Sequence, residues 1–391
     1  MAHPSGRHFL QIPGPTNVPE RVLRAIDYPT IDHRGPEFAK LAREVLAGIR
    51  KVFKTVHPVI IFPSSGTGAW EAALVNTLSP GDRILMYETG WFASLWKGIA
   101  DRHDLRVEII PSDWRHGVDP AAIEEKLTAD KEHSIRAVCA VHNETSTGVT
   151  SRIAEVRAAI DRARHPALFL VDTISSLASI DYRHDEWKVD VTVGGSQKGL
   201  MLPPGLSFNA LSPKALAAAK TAKLRRSYWD WEPMLQANES GFFPYTPATN
   251  LLYGLRESLK MLLDEEGLEN VFRRHRRHGE ATRRAVRAWG LTLNPADERE
   301  HSDSLTAVRM PEGHDADKLR AVILERFDMS LGQGLGKLKG KLFRIGHLGA
   351  FNDLSLAGTL SGVEMGLKLA RIPFSPGGVA AALDYLATTP D

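Results

Sequence analysis

A mostly parallel α/β sheet covered by helices on both faces, followed by a smaller α+β segment, is the architecture this sequence predicts. Three observations carry that expectation. Short runs rich in Val, Ile and Leu alternate with helix-period segments between residues 37 and 193. Such unbroken apolar runs suit strands buried on both faces, whose parallel neighbours need helical crossovers. Clusters of Gly, Ser, Thr and charged residues follow several of these runs, at the strand ends where open parallel sheets hold ligands. Beyond about residue 270 the pattern changes to a long basic helix and then shorter elements.

The opening stretch Ile12-Pro-Gly-Pro-Thr-Asn-Val-Pro19 holds three prolines and reads as an irregular arm. The alternation follows it. Phe38 to Val52 reads as an amphipathic helix, Pro58 to Phe62 as a strand, and Ala69 to Leu78 as a helix. The strand Asp82 to Tyr87, the helix Phe92 to His103 and the strand Leu105 to Ile110 come next. After the helix Pro120 to Leu127 come the strand Ala137 to Val141 and the helix Ile153 to Arg162. Leu168 to Val171 and Val189 to Val193 complete the buried strands. A helix is expected from Asn250 to Asp264, and short strands at Thr306 to Arg309 and Leu342 to Ile345. The expected organisation is an arm over residues 1–18, a large domain over 19–270 and a small domain over 271–391.

Composition excludes several classes of function. Apolar residues make up 43% and charged residues 25%, and 49 basic against 47 acidic residues leave a net charge of +2. That balance gives no footprint for nucleic acid or an anionic membrane surface. The basic run Arg273-Arg-His-Arg-Arg-His278 falls in a helical pattern and reads as a solvated helix face. The single cysteine, Cys139, sits inside the apolar run Ala137 to Val141 and reads as a buried hydrophobe rather than a nucleophile. No apolar run approaches the roughly 18 residues of a membrane span. Neither terminus carries a signal-peptide or peroxisomal pattern, so the expected location is cytoplasmic.

Four polar clusters fall at the predicted strand ends. Pro63-Ser-Ser-Gly-Thr-Gly68 precedes a helix, where small residues leave backbone N–H groups open to a phosphate. It fits neither the Walker nor the dinucleotide fingerprint. His142-Asn-Glu-Thr-Ser-Thr-Gly148 follows the Cys139 strand, and Asp172 closes the run Leu168-Phe-Leu-Val. Lys198, in Gly194-Gly-Ser-Gln-Lys-Gly199, lies 26 residues beyond Asp172. Singly, each has a plainer reading: a capped turn, a helix N-cap for Asp172, a surface lysine for Lys198. Together they offer a phosphate cradle, a carboxylate for a ring nitrogen and an amine for an aldehyde, the three demands of pyridoxal phosphate. Trp91 and Phe92, after another strand, offer an aromatic face, though core packing accounts equally well for either ring.

In these motifs the sequence resembles the class V aminotransferases, in the branch that holds the serine–glyoxylate and alanine–glyoxylate enzymes. The resemblance rests on Pro13-Gly-Pro-Thr-Asn17, Ser65-Gly-Thr-Gly68 followed by Trp70-Glu-Ala-Ala, and His142 to Gly148. Val171-Asp172, Gly195-Ser-Gln-Lys198 and Phe343-Arg-Ile-Gly-His-Leu-Gly349 complete it. It spans residues 9 to 385 in order and implies fold type I, with a seven-stranded sheet and a homodimer with shared active sites. It also implies roles. Lys198 would bind the cofactor aldehyde and Asp172 the pyridine nitrogen. Ser65, Gly66, Thr67 and Gly68 would cradle the phosphate, with Gln197 close by and Thr246 reaching the neighbouring subunit's phosphate. Phe92 would stack on the ring and Thr145 would approach the cofactor O3′. Gly14 and Arg344 would meet the substrate, Arg344 by a planar fork that suits an α-carboxylate.

The pattern is departed from at Ala69 and Phe243, where animal members carry histidine and tyrosine. Both departures imply altered phosphate contacts, with Tyr245 as a candidate compensation. Thr173 replaces a glycine or serine and is expected to narrow the space below the ring. The resemblance implies transfer of an amino group from a small amino acid to a 2-oxo acid, with L-serine and glyoxylate the best-fitting pair. Aspartate or alanine as donor, and a β-elimination lyase, remain alternatives. A second cation such as Arg34 would favour aspartate. A desulfurase is disfavoured because Cys139 lies in a core strand rather than a mobile loop.

Overall fold

The computed structural model describes residues 6–389. Seven strands form one sheet in the order Val59–Phe62, Ser207–Leu211, Val191–Gly195, Leu168–Asp172, Ile135–Val141, Arg83–Tyr87, Arg106–Ile110. Six share one direction, and Ser207–Leu211 runs against both of its neighbours. The six strands expected from apolar runs are all present, each with its ends within two residues of the expectation.

Alternation along each strand divides the core into two layers. Ile60, Phe62, Met86, Cys139, Leu170 and Val193 face the helices Gly66–Thr77 and Trp91–Arg102. On the opposite face, Val59, Ile61 and Phe208 meet the helices Pro36–Phe53 and Thr249–Lys260. Leu85, Val138 and Phe169 meet Pro120–Ala129 and Ile153–Arg162. Cys139 is buried in this core, and burial pushes its thiol well above the usual range, which leaves no thiolate for nucleophilic chemistry.

The strand Ser207–Leu211 carries polar residues at core positions and therefore does not read as a strand from its sequence. Its Asn209 is satisfied from the helices: the side-chain amide donates to the Ala69 carbonyl at 3.1 Å and accepts from Trp231 Nε1 at 3.2 Å. A fully bonded buried amide costs far less than an unpaired one, so the strand tolerates it.

A second sheet has the order Phe9–Gln11, Met329–Gln333, Leu342–Gly346, Leu305–Arg309, Thr292–Leu293. The arm thus contributes a strand of its own, Phe9–Gln11, parallel to Met329–Gln333, before the proline-rich stretch begins. Helices Leu268–Ala288, Ala316–Phe327, Asp353–Leu369 and Gly378–Thr388 cover one side of this sheet around Trp289, Phe343, Leu360 and Val363.

The basic run in Leu268–Ala288 differs from its expected solvated face. Arg273 and Arg276 are exposed, but His275, Arg277 and His278 are buried. Arg277 pairs with Asp353 and donates to the Leu386 carbonyl, and His278 also meets Asp353. The inward charges fasten this helix to the last two helices, so periodicity alone misassigned the face.

Buried histidines give the fold a predictable response to acid. His142, His184 and His347 are fully enclosed, and burial lowers the first two to about 4 and the third to about 3. In the unfolded chain each takes up a proton near about 6.5. The stability they contribute is therefore complete above that value and is lost as pH falls toward their folded values. Asp172 works the other way: burial raises it to about 7, so its contribution is present at low pH and fades as pH rises through that value. Three groups outweigh one. The melting temperature of the cofactor-free protein is expected to fall steadily between pH 7 and pH 5, and a flat or rising profile by calorimetry would contradict this.

Candidate active site

Lys198 and Asp172 come from adjacent parallel strands, with Asp172 level with Val193 at the carboxyl edge of the sheet. The turn after Gly195 is pinned by Ser196, whose hydroxyl donates to the Pro203 carbonyl at 2.8 Å and accepts from the Leu206 N–H at 3.1 Å. That fixes the backbone from which Lys198 projects. Its amine is buried and donates to the Pro13 carbonyl of the arm at 2.5 Å. Gly14 lies directly against it: a Cβ there would come 2.4 Å from the amine nitrogen, and the backbone φ of +99° also demands glycine. Only a bare backbone can pass over the lysine at this point.

Burial, reinforced by the Arg344 charge and partly opposed by Asp172, lowers the Lys198 amine to about 7. A large share of it is therefore neutral, and nucleophilic, near neutral pH. Asp172 accepts from the Ile174 N–H at 2.6 Å and from Trp70 Nε1 at 3.1 Å. These two donors orient the carboxylate, and burial raises it toward neutrality. A cationic partner in the pocket would restore its charge.

The turn Ser65–Gly68 begins the helix Gly66–Thr77. Ser65 caps no backbone N–H with its side chain, and both Ser65 and Thr67 are exposed. The helix therefore presents its uncapped amino end outward, which suits a phosphate. Gln197 has a buried side-chain oxygen with no hydrogen-bond partner. Thr246 is exposed in its own loop, and no hydrogen bond joins it to the Ser65–Gly68 turn of the same chain. Tyr245 stacks on Tyr228 with ring centroids 4.4 Å apart, and its hydroxyl is buried and unpartnered. The Thr173 hydroxyl donates to the Val193 carbonyl at 2.8 Å. The hydroxyl is thereby tied to the neighbouring strand of the sheet.

Sequence reasoning missed Glu144, although it lies inside a motif that was singled out. Its carboxylate is fully buried at the amino end of Trp91–Arg102 and accepts from the N–H groups of Phe92 at 3.3 Å and Ala93 at 3.2 Å. It also accepts from the Ser146 hydroxyl at 2.6 Å, while that hydroxyl accepts from the Trp91 N–H at 2.9 Å. The Phe92 ring is thereby held beside Trp70, with centroids 6.5 Å apart. A carboxylate at a helix start was the available signal, but the helix it caps lies about fifty residues earlier in the chain, beyond any local pattern.

The next residue, Thr145, holds Arg344. Its carbonyl accepts from Arg344 at 2.7 Å, and the Gln333 carbonyl accepts from Arg344 Nε at 2.8 Å. Arg344 is buried, and burial lowers it to about 10. No carboxylate pairs with it among the described residues. A buried guanidinium held by neutral carbonyls is a site for an anionic ligand. Thus Gly14, Asp172, Lys198 and Arg344 converge, Thr145 joins them through its carbonyl to Arg344, and Phe92 stands beside Trp70, which donates to Asp172; Gly66 and, through Gly195, Gln197 lie against Ile174, two residues past Asp172. Thr246 does not join them within one chain, and Arg34 is exposed.

A buried amine beyond a strand end, a buried carboxylate one strand away and an open helix start fit pyridoxal phosphate, group for group. The unpartnered Gln197 oxygen and the close clearance at Gly14 fit a ligand seated among them. Fold and site define a pyridoxal-phosphate-dependent enzyme of fold type I. Residues 8–335 match the family model described as "Aminotransferase class-V", and the chain belongs to that family. It is 49% identical to serine–glyoxylate aminotransferase of Methylorubrum extorquens, over 98% of this chain and 97% of that protein. It is 48% identical to L-aspartate–glyoxylate aminotransferase of Paracoccus denitrificans, over 97% of this chain and 96% of that protein. Among solved structures, ureidoglycine–glyoxylate aminotransferase of Bacillus subtilis superposes with a TM-score of 0.90 at 27% identity, covering 99% of this chain and all of that one. As a member of this family, the protein acts on amino-acid and 2-oxo-acid substrates. No helix among the described residues is long and apolar enough to cross a membrane.

Proposed function

We propose that the protein transfers the amino group of L-serine to glyoxylate, giving hydroxypyruvate and glycine in two half-reactions. The observation that carries the choice of donor is the buried guanidinium beside the lysine. Arg344 bears on Lys198, and Arg34 does not join it within one chain. One guanidinium in reach suits a monocarboxylate with a small side chain. The Methylorubrum relative, named for serine and glyoxylate, supports the same reading.

When bound, pyridoxal phosphate supplies an aldehyde for an amine and a ring that holds the electrons freed when a Cα–H bond breaks. The chain supplies the rest. Lys198, whose amine is lowered to about 7, would be the group that holds the aldehyde and, once free, would take the proton from the donor Cα. Arg344 grips the α-carboxylate and turns that Cα toward Lys198. Asp172 would keep a proton on the ring nitrogen. The N–H groups of Ser65 to Gly68 and the Gln197 amide would hold the phosphate, and Phe92 would cover the ring. Thr145 would serve the ring hydroxyl, while its carbonyl steadies Arg344.

The open Ser65 and Thr67 and the outlying Thr246 fit a homodimer in which Thr246 completes the partner's phosphate site. The arm (1–18) and a small carboxyl-terminal domain (271–391) then close over a large cofactor domain (19–270). The test is a half-reaction screen. Loss of the visible absorbance of the holoenzyme on mixing with serine, alanine or aspartate ranks the donors, and glyoxylate should restore it. Serine is expected to act fastest, by about tenfold, or about 1.4 kcal/mol. If aspartate acts tenfold faster than serine, the donor is a diacid and the present assignment fails.

A further inference from the structure

The helix Leu268–Ala288 is remote in sequence from Lys198, yet two of its basic residues hold a glycine packed against that lysine's backbone. His275 is fully buried, and its Nε2 accepts the Gly349 N–H at 3.0 Å. An amide N–H only donates, so Nε2 is bare and the ring proton sits on Nδ1, which donates to the Val271 carbonyl at 2.7 Å. Burial beside Arg274 keeps this ring neutral, in agreement with that tautomer. Arg274 grips the next peptide, on the other side of the Gly349 Cα: it donates to the Gly349 carbonyl at 3.1 Å and to the Phe351 carbonyl at 3.2 Å. Glu266 pairs with the Arg274 guanidinium at 2.7 Å and orients it.

Gly349 is where this grip reaches the site. Its φ is +80°, and a Cβ there would lie 3.1 Å from Thr16 Oγ1 and 3.4 Å from the Lys198 carbonyl oxygen. Thr16 in turn donates its hydroxyl to that Lys198 carbonyl at 3.1 Å, and its N–H to the Gln197 carbonyl at 3.1 Å. The glycine that His275 and Arg274 hold by its N–H and its carbonyl is therefore packed against the backbone of Lys198 and against the arm that covers it.

We propose that His275 and Arg274 are positioning residues for Lys198, acting through the Gly349 turn and Thr16. The proposal rests on the reading of Lys198 as the cofactor-binding lysine. His275 serves as a hydrogen-bond acceptor, not as a proton carrier, and any side chain that places an acceptor at the same point should replace it.

The test compares purified holoenzymes of the wild type, His275→Gln, His275→Leu and Arg274→Met, with Lys198→Ala as control. Glutamine places an oxygen near the Nε2 position; leucine leaves the Gly349 N–H unpaired. The readouts are the rate of pyridoxal phosphate release on dilution, the pH titration of the visible absorbance, and kcat and KM for serine. Losing one buried hydrogen bond predicts about tenfold faster release and about tenfold lower kcat for His275→Leu, with KM within about twofold. The visible titration should shift in the same variant, while His275→Gln stays within about twofold of wild type throughout. Equal behaviour of His275→Leu and wild type overturns the proposal, as does impairment of His275→Gln matching that of leucine. Should His275→Leu fail to fold, Arg274→Met decides: release about threefold faster supports the proposal, and unchanged release overturns it. A visible band that survives in Lys198→Ala would instead strike at the assignment of Lys198 itself.

Discussion

Lys198→Ala is expected to lose the visible absorbance of the bound cofactor and to lose activity by a factor on the order of 10⁴ or more. The size follows from two separate duties on one amine. In the proposed reaction it would hold the aldehyde in the resting enzyme and carry the proton at the donor Cα in each half-reaction. Alanine removes both and leaves a cavity under the arm, where the Pro13 carbonyl loses its donor. The fold should survive, because the turn is held by Ser196 and Leu206 rather than by the lysine side chain. A melting temperature close to wild type, together with residual activity within tenfold of wild type, would show that Lys198 is not the catalytic amine. Since burial lowers that amine to about 7, the rate at which cofactor-free wild type takes up pyridoxal phosphate should rise with pH through that value.

Asp172→Asn is expected to lower kcat by about 10²- to 10³-fold, the scale of losing one preorganised electrostatic partner in a water-excluded site. Asparagine matches the volume and keeps one oxygen acceptor, so either the Ile174 N–H or Trp70 Nε1 retains a partner. It cannot carry the negative charge that holds a proton on a ring nitrogen, and its amide N–H₂ must face one of those two donors. Binding of the amino acid depends on Arg344 and should change much less, so the loss should appear in kcat rather than KM. A variant with unchanged kcat would mean that charge at Asp172 plays no part in the reaction.

How far the sequence led depends on the range of the interactions concerned. The buried strands were legible because unbroken apolar runs between helical segments have few other uses in a globular chain. Lys198, Asp172 and the Ser65 to Gly68 turn were legible because unusual polar residues stood at the predicted strand ends. Glu144 was not, because it caps a helix whose start is far away in sequence. Ser207–Leu211 was hidden by Asn209, whose partners Ala69 and Trp231 come from two other helices. The basic run at 273–278 was misread because an inward arginine is indistinguishable by period from a solvated one until Asp353 is brought opposite it. Arg344 was found by family resemblance alone; its physical signature, a buried guanidinium held by two carbonyls, exists only in three dimensions.

The strand Phe9–Gln11 is synthesised long before its partner Met329–Gln333. Until synthesis reaches that partner, the arm has no sheet to anchor it, and only its contacts from Pro13 and Thr16 to Lys198 hold it over the first sheet. The arm is therefore fastened late, in a step that joins it to the second sheet. A polypeptide ending before residue 329 would keep Lys198 and Asp172 yet lack the strand that anchors the cover over the amine.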